Sequence, residues 1–143
     1  MTPTLLGRWQ TRILLFLTVG LLLTLPFGLG WIGPGGTAFF AILFYLLGLG
    51  LGWDVLYIYL QKFRWDQDWP AAYQWLAALW EGLVIVLLFE AMAISLPGVD
   101  AEAFQLGWFL LHYMVVWVGI FLASQSLMRL LFLHWRFRGG QWL

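Results

Sequence analysis

TAFFAILFYLLGLGLGWDVLYIYL, residues 37 to 60, carries a single charged side chain, Asp54, in an otherwise apolar run. A helix needs about 20 such residues to cross a bilayer. The run therefore reads as a transmembrane helix, and the rest of the chain has the composition to match. Of its 143 residues, 63% are hydrophobic and 10% charged, and the mean hydropathy is +0.87. Soluble domains carry roughly 45 to 50% apolar and about 25% charged residues. So short a chain has no core that could absorb this much apolar surface, which makes lipid its other solvent.

Three more runs have spanning length: Ile13 to Ile32, Ala71 to Leu96 and Ala103 to Leu133. GPGG at 33–36, a polar stretch at 61–70 and PGVDAE at 97–102 join them. The expected architecture is all-α, one domain over 1–143 with four transmembrane helices at about 13–32, 37–60, 71–96 and 103–133. The first run follows Arg8 and Arg12 but lacks a small-x-small cleavage pattern, so it reads as a retained helix rather than a signal peptide. Pro26 inside it predicts a kink.

The basic residues set the expected orientation. Arg8 and Arg12 precede the first run, Lys62 and Arg64 lie between the second and third, and Arg129, Arg136 and Arg138 close the chain. The other two loops have none. The positive-inside rule then places both termini in the cytoplasm. Tryptophan follows the same asymmetry, with Trp9, Trp65, Trp69, Trp75, Trp135 and Trp142 toward the inner side and Trp31 and Trp108 toward the outer. Asp68, ahead of Trp69-Pro70, is expected to cap the third helix. Asp66 is expected to offset Lys62 or Arg64.

Ionisable groups inside the spans are costly, on the order of 2.5 to 3.5 kcal/mol for Asp at a helix centre, so they must face protein, water or a ligand. At 1.5 Å per residue they fall into two layers. Asp54 and Glu81 lie in the inner third, with Gln125 or Arg129 as expected partners. Glu90 and His112 lie in the outer third and are expected to pair. The simplest reading is a hydrogen-bonded clasp with the acids held neutral by desolvation. Glu81 and Glu90 sit on opposite sides of one helix, which counts against a continuous proton path.

Glycine explains how an acid is admitted to such a helix. Gly50 and Asp54 share one face of the second run, while Gly48 and Gly52 form a GxxxG pair nearly opposite, and small residues at this spacing let backbones approach in lipid. In the fourth run, Trp108, His112, Gly119, Ala123 and Ser126 form one seam, with Gln125 and Arg129 on another face. Both helices thus present more interface than a four-helix monomer needs, which predicts a homo-oligomer or a larger complex.

Catalytic and nucleotide motifs are missing: there is no HExxH, Walker A or G-x-S-x-G. Cysteine is absent and net charge is zero, so thiol chemistry is excluded and nucleic acid is not an expected partner. No cofactor or metal site is expected, although a pigment such as chlorophyll, needing one axial ligand, stays open. The Leu-, Trp- and Gly-rich sequence with one lysine, ending in HWRFRGGQWL, resembles small integral membrane proteins of cyanobacteria. That resemblance implies a thylakoid or plasma membrane and attachment to photosynthetic or respiratory machinery, and it transfers no functional residue. The expected function is non-catalytic: a small subunit, assembly factor or adaptor of a membrane complex. The alternative is a small oligomeric proton- or ion-coupled transporter or channel using the intramembrane acids.

Overall fold

A computed structural model describes residues 3 to 141, apart from the side chain of Arg136. Trp142, assigned above to the inner aromatic belt, lies outside the described residues. Four helices are long and apolar enough to cross a membrane: α1 (Leu5–Gly28), α2 (Ala38–Gln61), α3 (Ala71–Ala91) and α4 (Leu106–Leu131). A short 3-10 turn, Trp135–Arg138, follows them. Among the described residues there is no strand, only an isolated bridge between Leu96 and Val99 in the tight turn after α3.

α1 departs most from expectation. It begins at Leu5 rather than Ile13, started by the Thr4 hydroxyl, which accepts from the Gly7 amide at 3.1 Å. The physical reason is that Gly7, Arg8, Thr11, Arg12 and Leu15 recur at helical spacing. They line one inward stripe around a shared cavity, so the polar turns belong to the bundle rather than to a flanking tail. Pro26 is accommodated within Leu21–Gly28, and the departure from α geometry falls instead at Phe16–Gly20, one π-helical turn. Gly33, Gly35 and Gly36 then reverse the chain at positive φ, which glycine alone adopts readily.

α3 starts at Ala71 as expected, but its N-cap is Pro70 and not Asp68. The residue before a proline is driven from helical angles, which holds Trp69 and Asp68 outside the first turn. Asp66 pairs with Arg64 at 2.9 Å, and the guanidinium's hydrogen bonds hold the Asp66 carboxyl below the usual carboxylate range. α3 ends at Ala91, short of Leu96, in a second π-turn over Leu87–Ala91. Ala93 at positive φ and Gly98 follow it, and Pro97 bars helical angles at Leu96. α4 is broken at Ser126 (φ −121°, ψ −73°), where the Ser126 hydroxyl donates back to Leu122 O at 2.6 Å, a bond that bends helices.

α1 lies between α2 and α4, while α3 touches its neighbours more sparsely. Toward the end away from the termini, Ile42, Leu46, Ile85, Phe89, Val99, Phe109 and Tyr113 form the main apolar core. At the end carrying both termini, Leu15, Ala123, Met128 and Trp135 form a smaller one.

The segment after α4 crosses back over the start of α1. The Thr4 amide donates to Gly139 O at 2.8 Å, the Thr11 hydroxyl to Gly140 O at 2.7 Å, and the Trp135 indole N–H to Thr11 Oγ1 at 2.9 Å. A Cβ at Gly7 would stand 2.0 Å from Gly139 O, so glycine there is what allows the two backbones to touch.

Candidate functional site: a buried arginine clasp

On α2 the buried stripe is Leu43, Leu46, Gly50, Asp54, Tyr57 and Gln61, spaced by three or four residues. Asp54 is 2% exposed, and the group that makes this tolerable comes from α1. Arg12 Nε donates to Asp54 Oδ2 at 2.9 Å and Nη2 to Oδ1 at 3.0 Å. The same guanidinium reaches α3, with Nη1 donating to Glu81 Oε2 and Nη2 to Oε1, both at 3.0 Å. One planar donor group therefore grips two carboxylates, one side-on and one end-on, the geometry for which arginine is suited and lysine is not. The Tyr57 hydroxyl adds a third donor to Glu81, at 2.9 Å from Oε1.

Gly50 makes room for the grip. A Cβ built on it would stand 2.2 Å from Arg12 Nη1, so any side chain there would displace the guanidinium. Gly82 plays a related part on α3: it lies under the Tyr113 ring, where a Cβ would come to 2.8 Å, and Tyr113 donates to Ala78 O at 2.5 Å.

A second arginine stands behind the first. Arg8 Nη1 is 4.0 Å from Asp54 Oδ1, and its guanidinium lies over the Trp69 ring at 4.4 Å from the centroid. The two arginines and two acids sum to zero charge. They line one wall of a cavity of about 180 Å³ between all four helices. Tyr57, Trp69, Tyr113, Trp117, Phe121 and Trp135 supply its aromatic walls.

Asp54 and Glu81 thus meet in one layer, but through Arg12 rather than through Gln125 or Arg129. Those two bond elsewhere: Gln125 donates to Gln74 Oε1 of α3 at 3.3 Å, and Arg129 donates to Gln125 Oε1 at 2.6 Å. The neutral clasp is also replaced. Both oxygens of each acid accept from Arg12, an arrangement of carboxylates facing a guanidinium.

The expected pairing of Glu90 with His112 does not form. Glu90 is exposed in the last turn of α3, whereas His112 is fully buried. The His112 partner is Thr24 of α1, with Nε2 and the hydroxyl 2.9 Å apart. That hydroxyl spends its proton on Gly20 O at 2.7 Å, so it accepts from His112. Phe27 and Phe39 pack edge-on to the imidazole. Glu90 fails to reach it because α3 ends in the π-turn, with Glu90 turned outward.

The packing residues divide. Gly119 faces α1, where a Cβ would stand 2.2 Å from Leu23 Cδ1, and Ala123 is buried against the smaller core. Within the chain α4 meets α1 along one face and α3 along another. Gly48 and Gly52 are different. They are exposed, and nothing lies within 4 Å of a Cβ at either. Trp135 and Trp69 also leave the expected interfacial belt to line the cavity, while Trp65 and Trp31 stay 95% and 76% exposed.

Arg8 and Arg12 were missed as site residues because hydropathy places them before the apolar run. The signal that finds them is the spacing Gly7-Arg8, Thr11-Arg12, Leu15-Phe16, which continues the helical stripe of the run itself. Among the described residues, no group of three His, Asp or Glu converges as a metal set. No protein-family model, curated protein or solved structure matches the chain.

Proposed function

We propose that the protein is a non-catalytic subunit, assembly factor or adaptor of a larger membrane complex, set in a bacterial plasma or thylakoid membrane with both termini cytoplasmic. The observation that carries this reading is the clasp. An acid that carries protons must change partners during each cycle, and Asp54 and Glu81 are held by four hydrogen bonds to one guanidinium. Glu90 and His112, the other members of a possible relay, stand apart. What α2 offers outward is a stripe of Phe44, Gly48, Gly52, Val55 and Tyr59, all exposed. Small residues flanked by large ones on a spanning helix suit close contact with another spanning helix.

Two measurements test the reading. Membranes solubilised in mild detergent should yield the protein in a particle larger than one chain, and purified protein in liposomes should pass neither protons nor alkali cations. Flux through the wild type that is lost in Glu81→Gln, with particle size unchanged, would replace this reading by the transporter. The cavity beside the acids is the feature favouring that alternative.

Orientation is tested separately, helped by the absence of native cysteine. Single cysteines at Pro34 and Glu102, both exposed in the loops away from the termini, should react with impermeant maleimide from outside intact cells. Those at Gln67 and Gln141 should react only after permeabilisation. The reverse pattern overturns the orientation while leaving the four-helix fold in place.

A further inference from the structure

Arg12 holds Asp54 with its side-on edge, Nε and Nη2. Arg8 lines the same cavity, and its own side-on edge is unfilled: among the described residues Nε and Nη2 are buried without a hydrogen-bond acceptor. Buried donors of a charged group left without acceptors are strongly unfavourable. The Arg8 side chain is only 11% exposed, and the Trp69 ring covers one face of its guanidinium. The cavity it lines is walled mostly by aromatic and aliphatic side chains.

Size and charge then restrict the ligand. An apolar cavity of about 150 Å³ holds a benzene ring, so about 180 Å³ holds one six-membered ring with small substituents. The cavity is not sealed, so an attached tail has a way out. A carboxylate would suit the fork on geometry alone. However, Arg8, Arg12, Asp54 and Glu81 already balance, and a further anion would leave one negative charge uncompensated where water is scarce, the costly outcome for a buried group. A carbonyl oxygen accepts from the same two N–H groups and leaves the balance intact.

We propose that this cavity binds an uncharged apolar molecule ending in a single carbonyl-bearing ring, such as a quinone or cyclic enone. The carbonyl accepts from Arg8 Nε and Nη2, and the ring packs among Tyr57, Trp69 and Trp117. The site needs no partner subunit, since all four of its walls come from one chain. It therefore stands independently of the adaptor reading.

The probe is 2-decyl-1,4-benzoquinone, titrated into detergent-solubilised full-length protein and followed by quenching of tryptophan fluorescence and by the unfolding midpoint. Quenching should saturate at one equivalent per chain and the midpoint should rise. Decylbenzene, which has the ring and tail without a carbonyl, should bind at least tenfold more weakly. Arg8→Met should weaken quinone binding at least tenfold. Arg8→Lys should fall between it and the wild type, because it keeps the charge and loses the fork. Should Arg8→Met fail to fold, Ala77→Leu provides the second route. It fills the cavity from α3 and should abolish binding without lowering the ligand-free midpoint. Non-saturating quenching, equal binding of decylbenzene, preferential binding of laurate, or unchanged affinity in Ala77→Leu would each overturn the proposal.

Discussion

Arg12→Leu should be the most damaging single substitution in the bundle. It leaves Glu81 buried with no cation in contact and Asp54 with only Arg8, 4.0 Å away, and breaking a buried ion pair from one side costs about 3 to 5 kcal/mol. Thermal unfolding in detergent should show the loss, and Arg12→Lys should recover only part of it. A lysine ammonium is a point charge that cannot present one edge to each carboxylate. The decisive variant removes both arginines and both acids together. Arg8→Met, Arg12→Met, Asp54→Leu and Glu81→Met combined should return to wild-type stability or exceed it, since exchanging a whole buried ion network for well-packed apolar side chains is often neutral or stabilising. Asp54→Asn is expected to be harmful, because its amide N–H₂ would face the N–H groups of Arg12. A quadruple variant as unstable as Arg12→Leu would show that the clasp contributes net stability of its own.

The glycines of α2 should separate by face, although they alternate within five residues of sequence. Gly50→Ala inserts a methyl group 2.2 Å from Arg12 Nη1. A free arginine would swing aside, but this one is tied by four hydrogen bonds, so the substitution should cost roughly 1 to 3 kcal/mol, as overpacking does. Gly48→Ala and Gly52→Ala meet open space and should change the unfolding of the isolated chain by less than about 0.5 kcal/mol. Gly48→Ile and Gly52→Ile should instead shrink the detergent-extracted particle, because they obstruct the proposed helix contact without touching the clasp. Unfolding midpoints and particle sizes measured on the same preparations give both answers. A loss of chain stability in Gly52→Ile equal to that in Gly50→Ala would remove the distinction between the two faces.

What could be read from the sequence was what periodicity controls. The four spans, the shared face of Gly50 and Asp54, and the common depth of Asp54 and Glu81 follow from run length and helical phase. The partners of the acids did not follow, for one physical reason. Hydropathy averages over all sides of a helix, and the first turns of α1 are apolar on one side and ionic on the other. Arg8 and Arg12 therefore scored as a flank, and the acids were assigned the nearest remaining polar groups, Gln125 and Arg129. Glu90 misled in another way. Its distance from His112 along the bundle axis was reasonable, but neither the π-turn at Leu87–Ala91 nor the Thr24 hydroxyl carries a signature strong enough to show that the histidine was already engaged.

The position of Arg12 also bears on how the chain is made. Its two counter-ions are 42 and 69 residues further along, and Thr11 beside it waits for Gly140, 129 residues away. During synthesis α1 thus reaches the membrane with bare guanidinium groups and no acid to neutralise them. It must remain near the lipid headgroups or the insertion machinery until α3 has emerged. The helix that carries the arginines of the clasp comes before its counter-ions and is sealed only when α3 and the segment after α4 reach it, so the bundle closes around it rather than growing outward from a finished hairpin.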